Sequence, residues 1–120
     1  MLPAPVIIML EKIVPLLPVH SLLKTISFYR DQLHFHTIHY GSSMVASKDN
    51  IALQFFEYTG KGPLPISECC IYVNNIEDLY ARLSSLDVIR PAGQIKNPTS
   101  FPKEFSVVDN NGHTLKFRQN

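Results

Sequence analysis

The chain repeats itself. Val19 and Val73, 54 positions apart, each close a short extended run and lead into a helical pattern, and the same offset carries Leu22 onto Ile76, Ile26 onto Tyr80 and Tyr29 onto Leu83. Towards the end of each half the correspondence resumes at an offset of 62, with NIALQF at 50–55 against GHTLKF at 112–117. Eight additional residues therefore lie between, and the Pro-bearing stretch 94–102 is where they are expected. Each half reads as strand, helix and three strands, with turns at Gly41-Ser42, Asp49-Asn50 and Asn110-Asn111-Gly112. The fold class expected is α+β, built from two βαβββ modules.

Within the first half, Leu22, Ile26, Tyr29 and Leu33 follow the stripe of an amphipathic helix, with Ser21 as its N-cap. Ile76, Leu79, Tyr80 and Leu83 answer in the second half, capped by Asn74 or Asn75. The strands alternate. One parity is apolar (Leu53, Phe55, Cys69, Ile71, Val73, Phe105, Val107, Leu115 and Phe117) and is expected to pack on the helices. The other mixes aromatic with polar side chains: Gln54, Phe56 and Tyr58, then Glu68, Cys70 and Tyr72, then Glu104 and Ser106, then Thr114, Lys116 and Arg118. Apolar walls with a few orienting polar groups suit a ligand pocket. An exposed sheet face with incidental aromatics is the plainer alternative.

Composition narrows the function classes. At 120 residues, 45% of them hydrophobic, the chain can close one core without metals or disulfides. A formal charge of +1 supplies no field for nucleic acid or an anionic membrane, so neither is expected as a partner. Cys69 and Cys70 are neighbours pointing to opposite faces of a strand and cannot readily bond to each other, which points to a reducing, cytoplasmic setting. The N-terminal LPAPVIIML has no Lys or Arg ahead of its apolar run, carries two early prolines and is too short to span a bilayer. It reads as an arm over 1–11 that packs on a neighbour, or as a start upstream of Met9, ahead of one domain over 12–120 with modules at about 12–58 and 66–118.

LLPVHSLLKTISFYRDQLHF at 16–35 and EFSVVDNNGHTLKF at 104–117, set in the two halves, resemble the vicinal oxygen chelate superfamily, which includes glyoxalase I, extradiol dioxygenases, fosfomycin-resistance transferases and bleomycin-resistance proteins. Phe28-Tyr29 ahead of a strand and the D-x-x-G-x-x-L-x-F that ends at Phe117 carry the resemblance as an ordered pair. It implies a curved, partly closed mixed sheet around a cleft. The metal-ligand positions of the superfamily fall on Val14, Gln54, Glu68 and Lys116. Val14 has no lone pair to give and Lys116 presents an ammonium, so the metal site reads as lost, with a Glu68 to Lys116 ion pair in its place.

That departure favours the bleomycin-resistance branch, whose members sequester a ligand without metal. The resemblance then implies a metal-free binding protein with no cofactor, holding an aromatic or cationic small molecule in a cleft between two copies of the chain. Phe56, Tyr72 and Phe101 would form walls, Glu68 and Glu104 supply negative charge, and Gln54, Lys116 and Arg118 polar contacts. The arm at 6–10 would be exchanged between subunits. The alternative is an enzyme of the glyoxalase superfamily, a lyase, isomerase or dioxygenase acting on a small oxygenated substrate, with Glu68 as general base.

Other constellations are weaker. His34 and His36 share one strand face while His39 points to the other, so the three do not converge on one zinc ion. His113 reads as turn structure. Cys70 faces the supposed pocket, where it is either an inert buried thiol or one activated by Lys116 or Arg118. No nucleophile elbow or Gly-rich phosphate loop is present.

Overall fold

The computed structural model describes residues 2–89 and 103–120. Phe101 and the stretch 94–102 thus lie outside the described residues. The first module comprises β1 (Leu16–Val19), α1 (Leu22–Ser27), β2 (His36–Tyr40), β3 (Ser43–Lys48) and β4 (Ile51–Glu57). The second comprises β5 (Glu68–Tyr72), α2 (Ile76–Leu83), β6 (Lys103–Val108) and β7 (Thr114–Gln119). Each forms its own mixed sheet, in the orders β1-β4-β3-β2 and β5-β7-β6, with the first-named pair parallel and the rest antiparallel. Ile89 adds a single antiparallel bridge to Val107, on the flank of β6 that corresponds to the flank of β3 covered by β2.

The strand register bears out the repeat. Leu16 pairs with Gln54 and Cys70 with Lys116, so both offsets, 54 and 62, are met in one pair of partners. β3 and β6 correspond at an offset of 61, since Val45 faces Gln54 as Ser106 faces Lys116. Seven of the eight additional residues therefore lie between α2 and β6, and the eighth is in the final hairpin, not in the stretch 94–102.

Local chemistry accounts for the elements. Ser21 caps α1, its Oγ accepting the Lys24 N–H at 3.2 Å. The helix then widens into one π turn, Phe28–Gln32, where the Leu33 N–H reaches back to the Phe28 carbonyl. Leu22, Ile26, Tyr29 and Leu33 are all buried, as their spacing requires. In α2 the expected cap is replaced: the Asn75 side chain makes no capping bond, and Gln119 Oε1 from β7 accepts the Ile76 N–H at 2.8 Å. The hairpin turns fall at Gly41 and Asp49, both at positive φ.

One core spans both modules, and it is made by the apolar parity. Leu53, Phe55, Phe105, Val107, Leu115 and Phe117 are buried, with Cys69, Ile71 and Val73 packed partly buried against them. The modules are also joined by polar bonds. The buried Tyr29 hydroxyl donates to Asp109 Oδ2 at 2.8 Å, while Asp109 Oδ1 accepts the N–H groups of Asn111 and His113. Burial, reinforced by the Asp109 carboxylate, holds the Tyr29 phenol protonated far above its ordinary range. Asn111 Nδ2 donates to Thr25 of α1, and Thr25 is itself fully buried. Phe28-Tyr29 and the turn at 109–112 are thus two halves of one joint.

His113 is a second tie, fully buried. Its Nδ1 accepts the Ser67 N–H at 3.0 Å, which leaves Nε2 carrying the hydrogen that the Pro18 carbonyl of β1 accepts at 2.6 Å. Its role therefore extends beyond turn structure to pinning β1 against the segment that leads into β5.

Candidate functional site

Since one strand parity is consumed by the core, the other is what the sheets offer to a ligand. In the first sheet it carries Leu16, Gln54, Phe56, Val45, Ser43, Ile38 and Tyr40, which the cross-strand pairing sets side by side. None of these seven carries a charge, and Leu16, Phe56, Ile38 and Tyr40 are all exposed. Gln54 and Phe56 were expected here. Ile38 and Tyr40 were not, because β2 is flanked by histidines and reads as a polar strand until its register with β3 is known.

In the second sheet the same parity gathers Glu68, Cys70, Tyr72, Glu104, Ser106, Lys116 and Arg118. Lys116 Nζ lies 3.3 Å from Glu68 Oε1, across β5 and β7. Arg118 holds Glu104 Oε2 through both Nε and Nη2, at 2.9 and 2.7 Å. The Glu104 carboxylate raises the guanidinium above its already high ordinary value, with the Tyr72 hydroxyl contributing next. In both pairs the carboxylate is the more exposed partner: 57% against 30% for Glu68 and Lys116, 40% against 32% for Glu104 and Arg118. The two cations of β7 lie in the middle of the sheet, and the carboxylates stand on its flanks.

The sequence-derived residues are therefore split between two faces. Glu68, Tyr72, Glu104, Lys116 and Arg118 come together on the second sheet, and Gln54 and Phe56 lie on the first. No strand of one sheet pairs with a strand of the other among the described residues. Glu68, the base of the enzyme alternative, is exposed and ion-paired, without apolar enclosure in the single chain.

Of the four positions where the resemblance leads one to expect metal ligands, Val14 offers no donor and Lys116 is ion-paired with Glu68. No group of three or more His, Cys, Asp or Glu able to hold a metal occurs among the described residues. His34, His36 and His39 are exposed, and the His39 ring bonds to the Gly41 carbonyl at 3.0 Å. Cys70 is exposed, which corrects the reading of a buried thiol. Its neighbour Cys69 is the half-buried one, and burial, with Asp109 and Glu68 behind it, pushes that thiol up.

The arm is in contact with nothing that would bury it. Leu2, Val6, Ile7, Ile8, Met9, Leu10 and Ile13 are all exposed, Leu10 by 98%, and residues 2–15 form no helix or strand. No helix among the described residues is long and apolar enough to cross a membrane.

No family model matches the chain. A bleomycin resistance protein of Geobacillus stearothermophilus is 26% identical over 124 aligned positions, covering 88% of this chain and 94% of that protein. Among solved structures, a bleomycin resistance determinant encoded on the transposon Tn5 superposes with a TM-score of 0.76 at 20% identity, over 92% of this chain and 98% of that one. A bleomycin-binding protein in complex with bleomycin superposes with a TM-score of 0.73 at 21% identity, over 92% and 99%. These likenesses extend across both modules, so they bear on the whole architecture.

Proposed function

We propose that the chain is a member of the bleomycin-resistance branch of the vicinal oxygen chelate superfamily and, within it, a metal-free binding protein that sequesters an aromatic or cationic small molecule. The observation that carries the proposal is the pair of cross-strand ion pairs on the second sheet, with Lys116 where a metal-using member needs a ligand. An ammonium there opposes a divalent cation. Glu68 and Glu104 are the more exposed partners, so a ligand cation meets carboxylate first, while Phe56 and Tyr72 offer faces for stacking.

We further propose that two copies of the chain enclose the ligand. The uncharged outward face of the first sheet and the apolar arm at 6–10 are both uncovered in one chain, and a twofold partner would cover them with one repeated contact. Light scattering should then give a mass near twice 13.6 kDa. Deleting residues 1–10 should weaken both association and binding; a monomer that binds with full affinity excludes the shared cleft.

Calorimetry with bleomycin as the probe, in the presence of a chelator, tests the binding itself. Saturable binding weakened about tenfold by Phe56→Ala or Glu104→Gln, and unmoved by Glu11→Gln, is the expected result. Equal losses from Glu104→Gln and Glu11→Gln would remove the outward face from the account.

A further inference from the structure

The second module is open at positions that the first module seals. Leu17, Val19 and Thr25 are 2%, 0% and 0% exposed, whereas Ile71, Val73 and Leu79, their counterparts across the repeat, are only partly buried. The gap is a cavity of about 760 Å³ between α2 and the turn at Asp49-Asn50, within the size range of small-molecule sites. Leu33, Phe35, Ile71, Leu79, Leu83 and Phe117 floor it, all of them in the core or packed partly buried against it. Its floor is therefore on the opposite side of the sheet from the ion pairs, and of the second sheet's outward parity Tyr72 alone reaches the lining.

Its rim is cationic. Lys48 and Arg82 line it against the single carboxylate of Asp49, with His34 beside them. Lys48 is not a loose rim residue: its Nζ donates to the His34 carbonyl at 3.3 Å, and His34 holds a left-handed backbone at φ 60. We infer that this cavity is a second binding site and takes an amphiphilic anion, a medium-chain or arylalkyl carboxylate. The chain of such a ligand covers the apolar floor, removing the remaining exposure of Ile71 and Leu79 from water, and the carboxylate meets Lys48 and Arg82. A cationic amphiphile would bury the same area but face two like charges, and an alcohol would gain only the floor.

Calorimetric titration with decanoate, decanol and decyltrimethylammonium tests this on the full chain. Decanoate should bind about tenfold or more tightly than decyltrimethylammonium, with decanol between them, and Arg82→Glu should weaken decanoate by about tenfold. Arg82 is exposed on α2, so the variant keeps its fold, which its melting temperature verifies; Lys48→Glu is the second variant of the same kind. Glu104→Gln, on the other side of the sheet, should leave decanoate binding unchanged. The inference is overturned if decanoate does not bind, if the cationic and anionic probes bind equally, or if decanoate binding follows Phe56→Ala instead of Arg82→Glu. None of these results bears on whether the outward faces bind an aromatic cation.

Discussion

Met44, Leu53 and Phe55 of the first module are matched across the repeat by Phe105, Leu115 and Phe117 of the second, and all six are buried. One residue along the same strands the match fails. Ser43, Gln54 and Phe56 stand where the second module has Glu104, Lys116 and Arg118, an uncharged face against a salt-bridged one. Packing against helices constrains the inward parity in both halves, because a polar group there would lose its water without a partner. The outward parity carries no such requirement, so it is where the two halves have become chemically different.

Neighbouring phenylalanines offer the largest test of this division. Phe55→Ala should cost about 3–5 kcal/mol of stability by leaving a cavity in the shared core, while Phe56→Ala should cost less than about 1 kcal/mol and act on ligand binding instead. Urea denaturation of the two variants measures the contrast. A Phe56→Ala loss as large as that of Phe55→Ala would make the outward face structural.

Removing the seam hydrogen bond should have the next largest effect. Tyr29→Phe leaves Asp109 with two of its three bonds and should cost about 1–3 kcal/mol. The phenol also imposes a pH dependence. Because its folded value is raised, its contribution is fully present below the ordinary tyrosine value of about 10 and is lost as pH rises above it. Melting temperatures across the alkaline range should fall less steeply for Tyr29→Phe than for the parent chain.

The two helix starts sharpen the comparison at a smaller scale. Ser21→Ala should destabilise by about 1 kcal/mol, whereas Asn75→Ala should be near neutral because Gln119, not Asn75, satisfies the first N–H of α2. Gln119→Ala is expected to behave like Ser21→Ala. Smallest of all, Lys116→Met should change stability by at most about 0.5 kcal/mol, as its partner Glu68 is exposed. A thermal shift assay resolves these last two cases.

Much of this was legible in the residues. The offsets of 54 and 62 gave the module plan and the strand parity, since both rest on periodicity, which is local. What was not legible depends on contacts between distant segments. Phe28-Tyr29 and the turn at 109–112 were visible as motifs, but not that the Tyr29 hydroxyl meets Asp109, 80 residues away. His113 looked like a turn residue because its two partners are distant in sequence, Pro18 in β1 and Ser67 just ahead of β5. Gln119 near the chain end gave no sign that it would cap a helix begun at Ile76. The Glu68 to Lys116 pair could be named beforehand because the family resemblance puts both residues at positions that converge on one metal ion.

The outward faces are proposed to bind a small molecule with no metal between protein and ligand. Titration calorimetry with proflavine, a planar aromatic cation, in chelator-treated buffer and again with added zinc, addresses it most directly. Saturable binding of equal affinity in both, weakened about tenfold by Phe56→Ala, is the predicted result. Binding that vanishes under chelation and returns with one zinc ion per chain would contradict it.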